Sequence, residues 1–256
     1  MIKHCLLALA TTAAALPAQA LTAGDLAFTS FNADEDGFSM VTFTSIGANT
    51  QVFFSDNEWN GGAIGAGGAF NTGESYLGWT SGAAAINAGT VIRFSKVDVA
   101  GLAASVGTLA RVTVAGSSNY GLANSNETLY AYLGSSASAP TGFISAITNS
   151  DFSVADGQLA GTGLSKGTTA MRLRTSGSPD YGAYNGVRNG LASFAAYKPL
   201  VANIANWTVD TTNGDYAATV PNTTAFSISA VPEPETYALM LAGVFAVGFV
   251  AARRRA

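Results

Sequence analysis

The chain has 256 residues and a formal net charge of −4, and only 11% of the residues are charged, against roughly 25% in an ordinary soluble domain. With 48% hydrophobic and 10% aromatic residues it is too rich in core-forming side chains to stay disordered. Residues 21–230 carry eight basic against fourteen acidic side chains, a net charge of −6 that disfavours a nucleic-acid partner.

The first predicted element is an export leader. Lys3 and His4 precede an apolar run over 5–16, and Ala18-Gln19-Ala20 has the small-x-small spacing that a signal peptidase needs. The reading is a signal peptide over 1–20, handled by the secretion translocon and signal peptidase, with mature numbering from Leu21. Cys5 stands at the start of the apolar run rather than at its end, which argues against a lipoprotein. Cys5 and His4 are the only cysteine and histidine, so both leave with the leader. The remaining chain can form no disulfide, thiolate nucleophile or imidazole base. It also lacks the usual ligands of zinc, copper and haem, and any Ser-His-Asp triad.

Residues 21–230 read as one exported all-β domain, a sandwich of about ten short strands whose surface is solvated by Ser, Thr, Asn and Gly. Alternation and turn residues predict strands at 26–31, 38–44, 51–55, 75–80, 90–97, 110–114, 127–133, 142–148, 169–174 and 225–229. One exception, LASFAAYKPLVANIAN over 191–206, has helical spacing interrupted by Pro199 and predicts a short helix. A weak internal echo also exists: Ile46, Ala48, Asn49 and Thr50 recur as Ile86, Ala88, Gly89 and Thr90. Shared turn chemistry explains it better than duplication.

Candidate chemistry concentrates in the acidic turns. Asn32, Asp34, Asp36 and Gly37 fit the opening of a calcium loop, but the twelfth position is Phe43, which excludes an EF-hand. If the first three strands form a meander, Asp56, Glu58 and Glu74 come to the same end of the sheet. The six residues Asn32, Asp34, Asp36, Asp56, Glu58 and Glu74 would then form an acidic rim for calcium, the one cofactor considered. The competing reading is that Asn, Asp and Gly are what tight turns require. Trp59 and Trp79 admit two readings, sugar stacking or core packing. Two carboxylates suffice to hydrolyse a glycoside, yet no pair is marked for that role, so the chain is not expected to be an enzyme.

The tail is VPEPETYALMLAGVFAVGFVAARRRA. Residues 237–252 are uncharged and as a helix would extend about 24 Å, short of a bilayer core of about 30 Å. Arg253, Arg254 and Arg255 can snorkel, and they stop transfer on the cytoplasmic side. Pro232 and Pro234 hold the preceding chain extended, and Thr236 is placed to cap the helix. A plain membrane anchor explains the helix and the arginines but not Pro232, Glu233 and Pro234.

This order of motif, apolar helix and arginines over 231–256 resembles the PEP-CTERM sorting signal of Gram-negative bacteria. The resemblance implies export across the inner membrane, a membrane-anchored intermediate, recognition of Pro232, Glu233 and Pro234 by the transpeptidase exosortase, and a final place at the cell surface or outside it. It further implies a structural or adhesive role beside extracellular polysaccharide, in a biofilm matrix. The alternative is a secreted carbohydrate-binding module or glycoside hydrolase. Residues 24–62 also resemble a lamin-tail or Ig-like β-sandwich segment of bacterial surface proteins.

Overall fold

The structure is a computed structural model that describes residues 20–210 and 212–229. Ala18, the sorting motif, the predicted tail helix and the three terminal arginines therefore lie outside the described residues, whereas Ala20 is described and exposed. No helix among the described residues is long and apolar enough to cross a membrane.

In chain order the strands are β1 (Leu26–Asn32), β2 (Gly37–Thr42), β3 (Gln51–Ser55), β4 (Tyr76–Thr80), β5 (Val91–Ser95), β6 (Ala103–Ala104), β7 (Thr108–Arg111), β8 (Thr128–Ser136), β9 (Ala139–Thr148), β10 (Ala170–Arg172), β11 (Tyr181–Tyr184) and β12 (Trp207–Val209). They form two six-stranded sheets, ordered β12-β11-β1-β2-β5-β6 and β10-β9-β8-β3-β4-β7. Every pairing is antiparallel except β9 with β10. The four edge strands β12, β6, β10 and β7 are only 3, 2, 3 and 4 residues long.

Alternation decides which side chains meet between the sheets. Phe38 and Phe94 are cross-strand partners of the first sheet, stacked at 4.7 Å. Phe54 from the second sheet reaches both at 4.9 Å, and Trp79 meets Phe94 at 5.9 Å. Each aromatic pair adds about 0.5–1.5 kcal/mol beyond the area it buries. The intervening residues face outward: Phe53, Tyr76, Tyr130, Tyr132 and Phe143 form a second core, roofed by Trp59 and Phe70 from the β3–β4 connection. That is why 129–133 reads as an unbroken apolar run rather than as an alternating one.

The helical expectation at 191–206 is met in broken form. Ser193 caps a 3₁₀ turn (Phe194–Tyr197), α1 (Lys198–Val201) follows, and a second 3₁₀ turn (Ile204–Asn206) leads into β12. Pro199, with no N–H and a fixed φ, fits only the first turn of α1 and so divides the segment.

The expected strand at 225–229 is corrected. Ile228 makes a single bridge to Leu191, and the segment is pinned by Phe226 N–H to Gly89 O at 2.8 Å, Ser227 N–H to Arg188 O at 2.8 Å and Ser229 N–H to Leu191 O at 2.9 Å. These partners lie on two different connections, so no ladder builds. The strands β6, β11 and β12 were not among those expected; all three are short.

The echoed turns dock on each other. Ile46 and Ile86 exchange N–H···O bonds, both 2.9 Å long. In each turn the threonine hydroxyl donates to the carbonyl three residues back, Thr50 to Gly47 and Thr90 to Asn87, both at 2.8 Å. Each also has a left-handed residue before that threonine, Asn49 at φ 56° and Gly89 at φ 88°. One turn launches β3 into the second sheet and the other launches β5 into the first.

A Cβ on Gly89 would stand 2.2 Å from the Phe226 carbonyl oxygen and 2.6 Å from the Phe194 ring. Gly89→Ala is therefore expected to lose more than about 1 kcal/mol in urea unfolding, whereas Asn49→Gly, at the matching position of the partner turn, stays within about 0.5 kcal/mol of wild type. Equal losses from the two variants would refute the different surroundings assigned to the two turns.

Candidate functional site

The same alternation that builds the core delivers carboxylates to one end of it. In β3, Val52 and Phe54 face the first sheet, and Asp56 continues that set one step beyond the strand. In β8, Leu129 and Ala131 face the same way, and Glu127 precedes them by one step of two. Since β3 runs antiparallel to both β4 and β8, with Ser55 opposite Tyr76 on one side and Tyr130 on the other, its end lies beside their beginnings. Glu74 enters from the connection just ahead of β4. Carboxylate oxygens of Asp56, Glu74 and Glu127 thus come within 4.8 Å of one another.

Neighbouring amides fix the geometry. Asp56 Oδ1 accepts from the Ser75 N–H and from Ser75 Oγ, each at 2.7 Å. Asp56 Oδ2 is buried with no hydrogen-bond partner among the described residues. Asn57 and Asn149, both fully buried, act as paired braces: Asn57 Oδ1 accepts from Glu74 N–H at 3.2 Å, and Asn149 Oδ1 accepts from Glu127 N–H at 2.8 Å. Glu127 Oε2 accepts from Ala123 N–H at 2.8 Å. Asp56 and Glu127 are 1% and 2% exposed, and Glu74 is half-buried.

Electrostatics follow from that burial. Desolvation, then the nearby Glu58, pushes Asp56 up to about 7 against the pull of its Ser75 bonds. Desolvation, then Asp56 and Glu58, pushes Glu74 up to about 8. Glu127 is raised well above the ordinary range by burial first and by Asp56 and Glu74 next. Burial is the first cause in all three, and the charges of neighbouring acids add in the same direction, so all three move the same way.

Of the six rim residues expected from sequence, Asp56 and Glu74 belong to this trio, and Glu58 stands close enough to act on its charge, its own carboxylate held by the Asn71 amide. Asn32, Asp34 and Asp36 are placed elsewhere, because the expected meander is corrected: β2 pairs with β5, and β3 lies in the other sheet between β8 and β4. Asn32 Oδ1 accepts from Asp34 N–H at 3.1 Å and Glu35 N–H at 3.2 Å, closing the turn, while its amide donates to Tyr216 O at 2.9 Å. Asp34 Oδ2 accepts from Tyr216 N–H at 2.7 Å, and Asp36 Oδ1 from Leu122 N–H at 2.5 Å. These three fasten neighbouring loops. The two acidic regions still share an end of the sandwich, because the consecutive amides of Leu122 and Ala123 serve Asp36 and Glu127 respectively.

Glu127 was absent from the expected rim. Its sequence signal, an acid immediately ahead of an apolar strand, needs the pairing of β8 with β3 before it gains meaning. The sugar-stacking reading of Trp59 and Trp79 is corrected: they are 1% and 0% exposed, with Trp59 Nε1 donating to Gly62 and Ala160 carbonyls and Trp79 Nε1 to Val106 O. Buried rings on both sides leave no face for a sugar.

Comparison with known proteins adds one finding. A family model described as the PEP-CTERM protein-sorting motif matches residues 230–255, a span that includes Pro232, Glu233 and Pro234 as well as Arg253, Arg254 and Arg255. No curated protein and no solved structure matches the chain.

Protons bound by Asp56 and Glu74 in the folded state are released on unfolding at neutral pH. Their stabilisation is whole below the unfolded carboxyl pKa, about 4, and is lost as pH rises through the folded values. In chelator, thermal melting of the full chain is therefore expected to fall by several degrees as pH rises from about 6 to about 9, and Glu74→Gln is expected to flatten the fall. A wild-type melting temperature that holds or rises over that range would contradict the shared desolvation of the trio.

Proposed function

We propose that this chain is a non-catalytic exported protein, passed to exosortase through its C-terminal signal and kept at the cell surface or in its polysaccharide matrix as a structural or adhesive component. The observation that carries the sorting half is the PEP-CTERM match over 230–255; such a motif implies exosortase as the processing partner of an exported, initially membrane-held protein.

The structure supports this reading in two ways. Ser229 is bonded to Leu191, and Arg188 donates to Thr224 O at 3.0 Å while stacking on Phe226 at 4.8 Å, so the sandwich is fastened up to the residue before the matched motif. Only residues 230 and 231 separate that anchorage from Pro232, so three residue steps give a reach of at most about 11 Å. In addition, a groove of about 460 Å³ is lined by Lys166, Arg172 and Arg174 beside Met171, Pro199 and Ile204, and Arg172 is steadied by Asp151 at 2.5 Å. On a domain of net negative charge, a cationic groove with an apolar wall suits an acidic polysaccharide chain. The alternative of a carbohydrate module that stacks sugars on Trp59 or Trp79 loses its ring faces to the core.

Two measurements test the two halves. Replacing Pro232, Glu233 and Pro234 together by alanine in the native host is expected to shift the protein to the membrane fraction at its unprocessed mass; intact mass of the wild-type extracellular form shows loss of the tail. An unprocessed wild-type chain in the cytosol would defeat the sorting half. On a gel of the host's own extracellular polymer, wild-type protein is expected to be retained and a Lys166→Glu, Arg174→Glu variant to elute early. A wild-type chain that flows straight through would defeat the matrix half.

A further inference from the structure

We propose that Asp56, Glu74 and Glu127 form a calcium site that staples the beginnings of β4 and β8 to the end of β3. The ligand atoms come from the ends of three adjacent strands and lie within 4.8 Å of one another, no wider than the span of about 4.6–5.2 Å across a calcium ion with oxygens at about 2.3–2.6 Å. All are oxygens, which selects a hard cation over zinc, copper or iron.

An independent feature points to a ligand. Asp56 Oδ1 is used by Ser75, but its Oδ2 is buried and unpartnered, the costly condition for a carboxylate oxygen unless a cation or donor meets it. No cationic side chain among the described residues does so. The ion pairs among the described residues join Arg93 to Glu35, Arg172 to Asp151 and Lys198 to Asp25, and none reaches the trio. The braces Asn57 and Asn149 hold the backbone of Glu74 and Glu127 in place, so little ordering is left for binding to impose.

Burial decides against catalysis at the same residues. With Asp56 and Glu127 almost wholly enclosed, no polymer could reach both, whereas an ion needs only the side left by half-buried Glu74. Calcium is favoured over magnesium because three carboxylates on different strand ends give an adaptable shell, and magnesium gives up its water reluctantly.

The test is calorimetric titration of the full chain, stripped with EDTA and dialysed, with calcium chloride and separately with magnesium chloride. One calcium per chain is expected, with a rise in melting temperature and at least tenfold weaker binding of magnesium. Asp56→Asn and Glu127→Gln are each expected to weaken calcium binding at least tenfold. If either fails to fold, Glu74→Gln, at the half-buried position, reads the same loss. Asp34→Asn, outside the trio, is expected to bind as wild type. Absence of a calcium-dependent shift at about 10 mM, far above the extracellular-module range, would overturn the site. So would calcium binding that survives all three trio substitutions. The titration needs no host cell, so its failure is separate from failure of the sorting reading.

Discussion

The contact of Phe38, Phe54 and Phe94 between the two sheets is the constraint on which the remainder depends. Once those rings meet, the pleat commits every second residue of β3 and β8 to the space between the layers. Followed outward, that commitment ends in Asp56 on one strand and Glu127 on the other. The acids are therefore held by the same period-two geometry that buries the core, and a slip of one residue in either strand would carry its acid to the opposite face. The opposite face of the second sheet is no freer, since Trp59 and Phe70 close over its tyrosines.

The chain divides its labour sharply. Sorting is written in a short terminal stretch whose meaning lies in linear order, and the sandwich contributes a firm base for it through Arg188, Leu191 and Gly89. Low charge fits this division. A surface solvated by hydroxyls and amides leaves few ionic contacts, so the buried acidic trio and the Lys166, Arg172 and Arg174 groove stand apart from their surroundings.

Much of the fold was legible because local pattern and tertiary demand agree. The strand expected at 51–55 is β3 to the residue, since its polar start and apolar alternation sit between clear turn residues. The segment around Pro199 was legible for a comparable reason, as proline leaves few choices. What escaped was non-local. Tyr181–Tyr184 has glycine and alanine at its centre, and only pairing with β1 makes it a strand. Residues 225–229 have strand composition, but their partners are split between Gly89 and the 188–191 turn. The rim was legible as an end of the molecule but not as a ligand set. Asp34 and Asp36 spend their oxygens on the amides of Tyr216 and Leu122, and Glu127 arrives from a strand whose neighbour no local signal names.

The interlocked turns at Ile46 and Ile86 give the molecule two poles. They stand at the start of β3, and Phe226, on the way to the tail, is bonded to Gly89 at that pole. Asp56 stands past the other end of the strand, about 17 Å away at 3.3 Å per residue. The three carboxylates thus stand at the far end of β3 from the place where Phe226 is fastened.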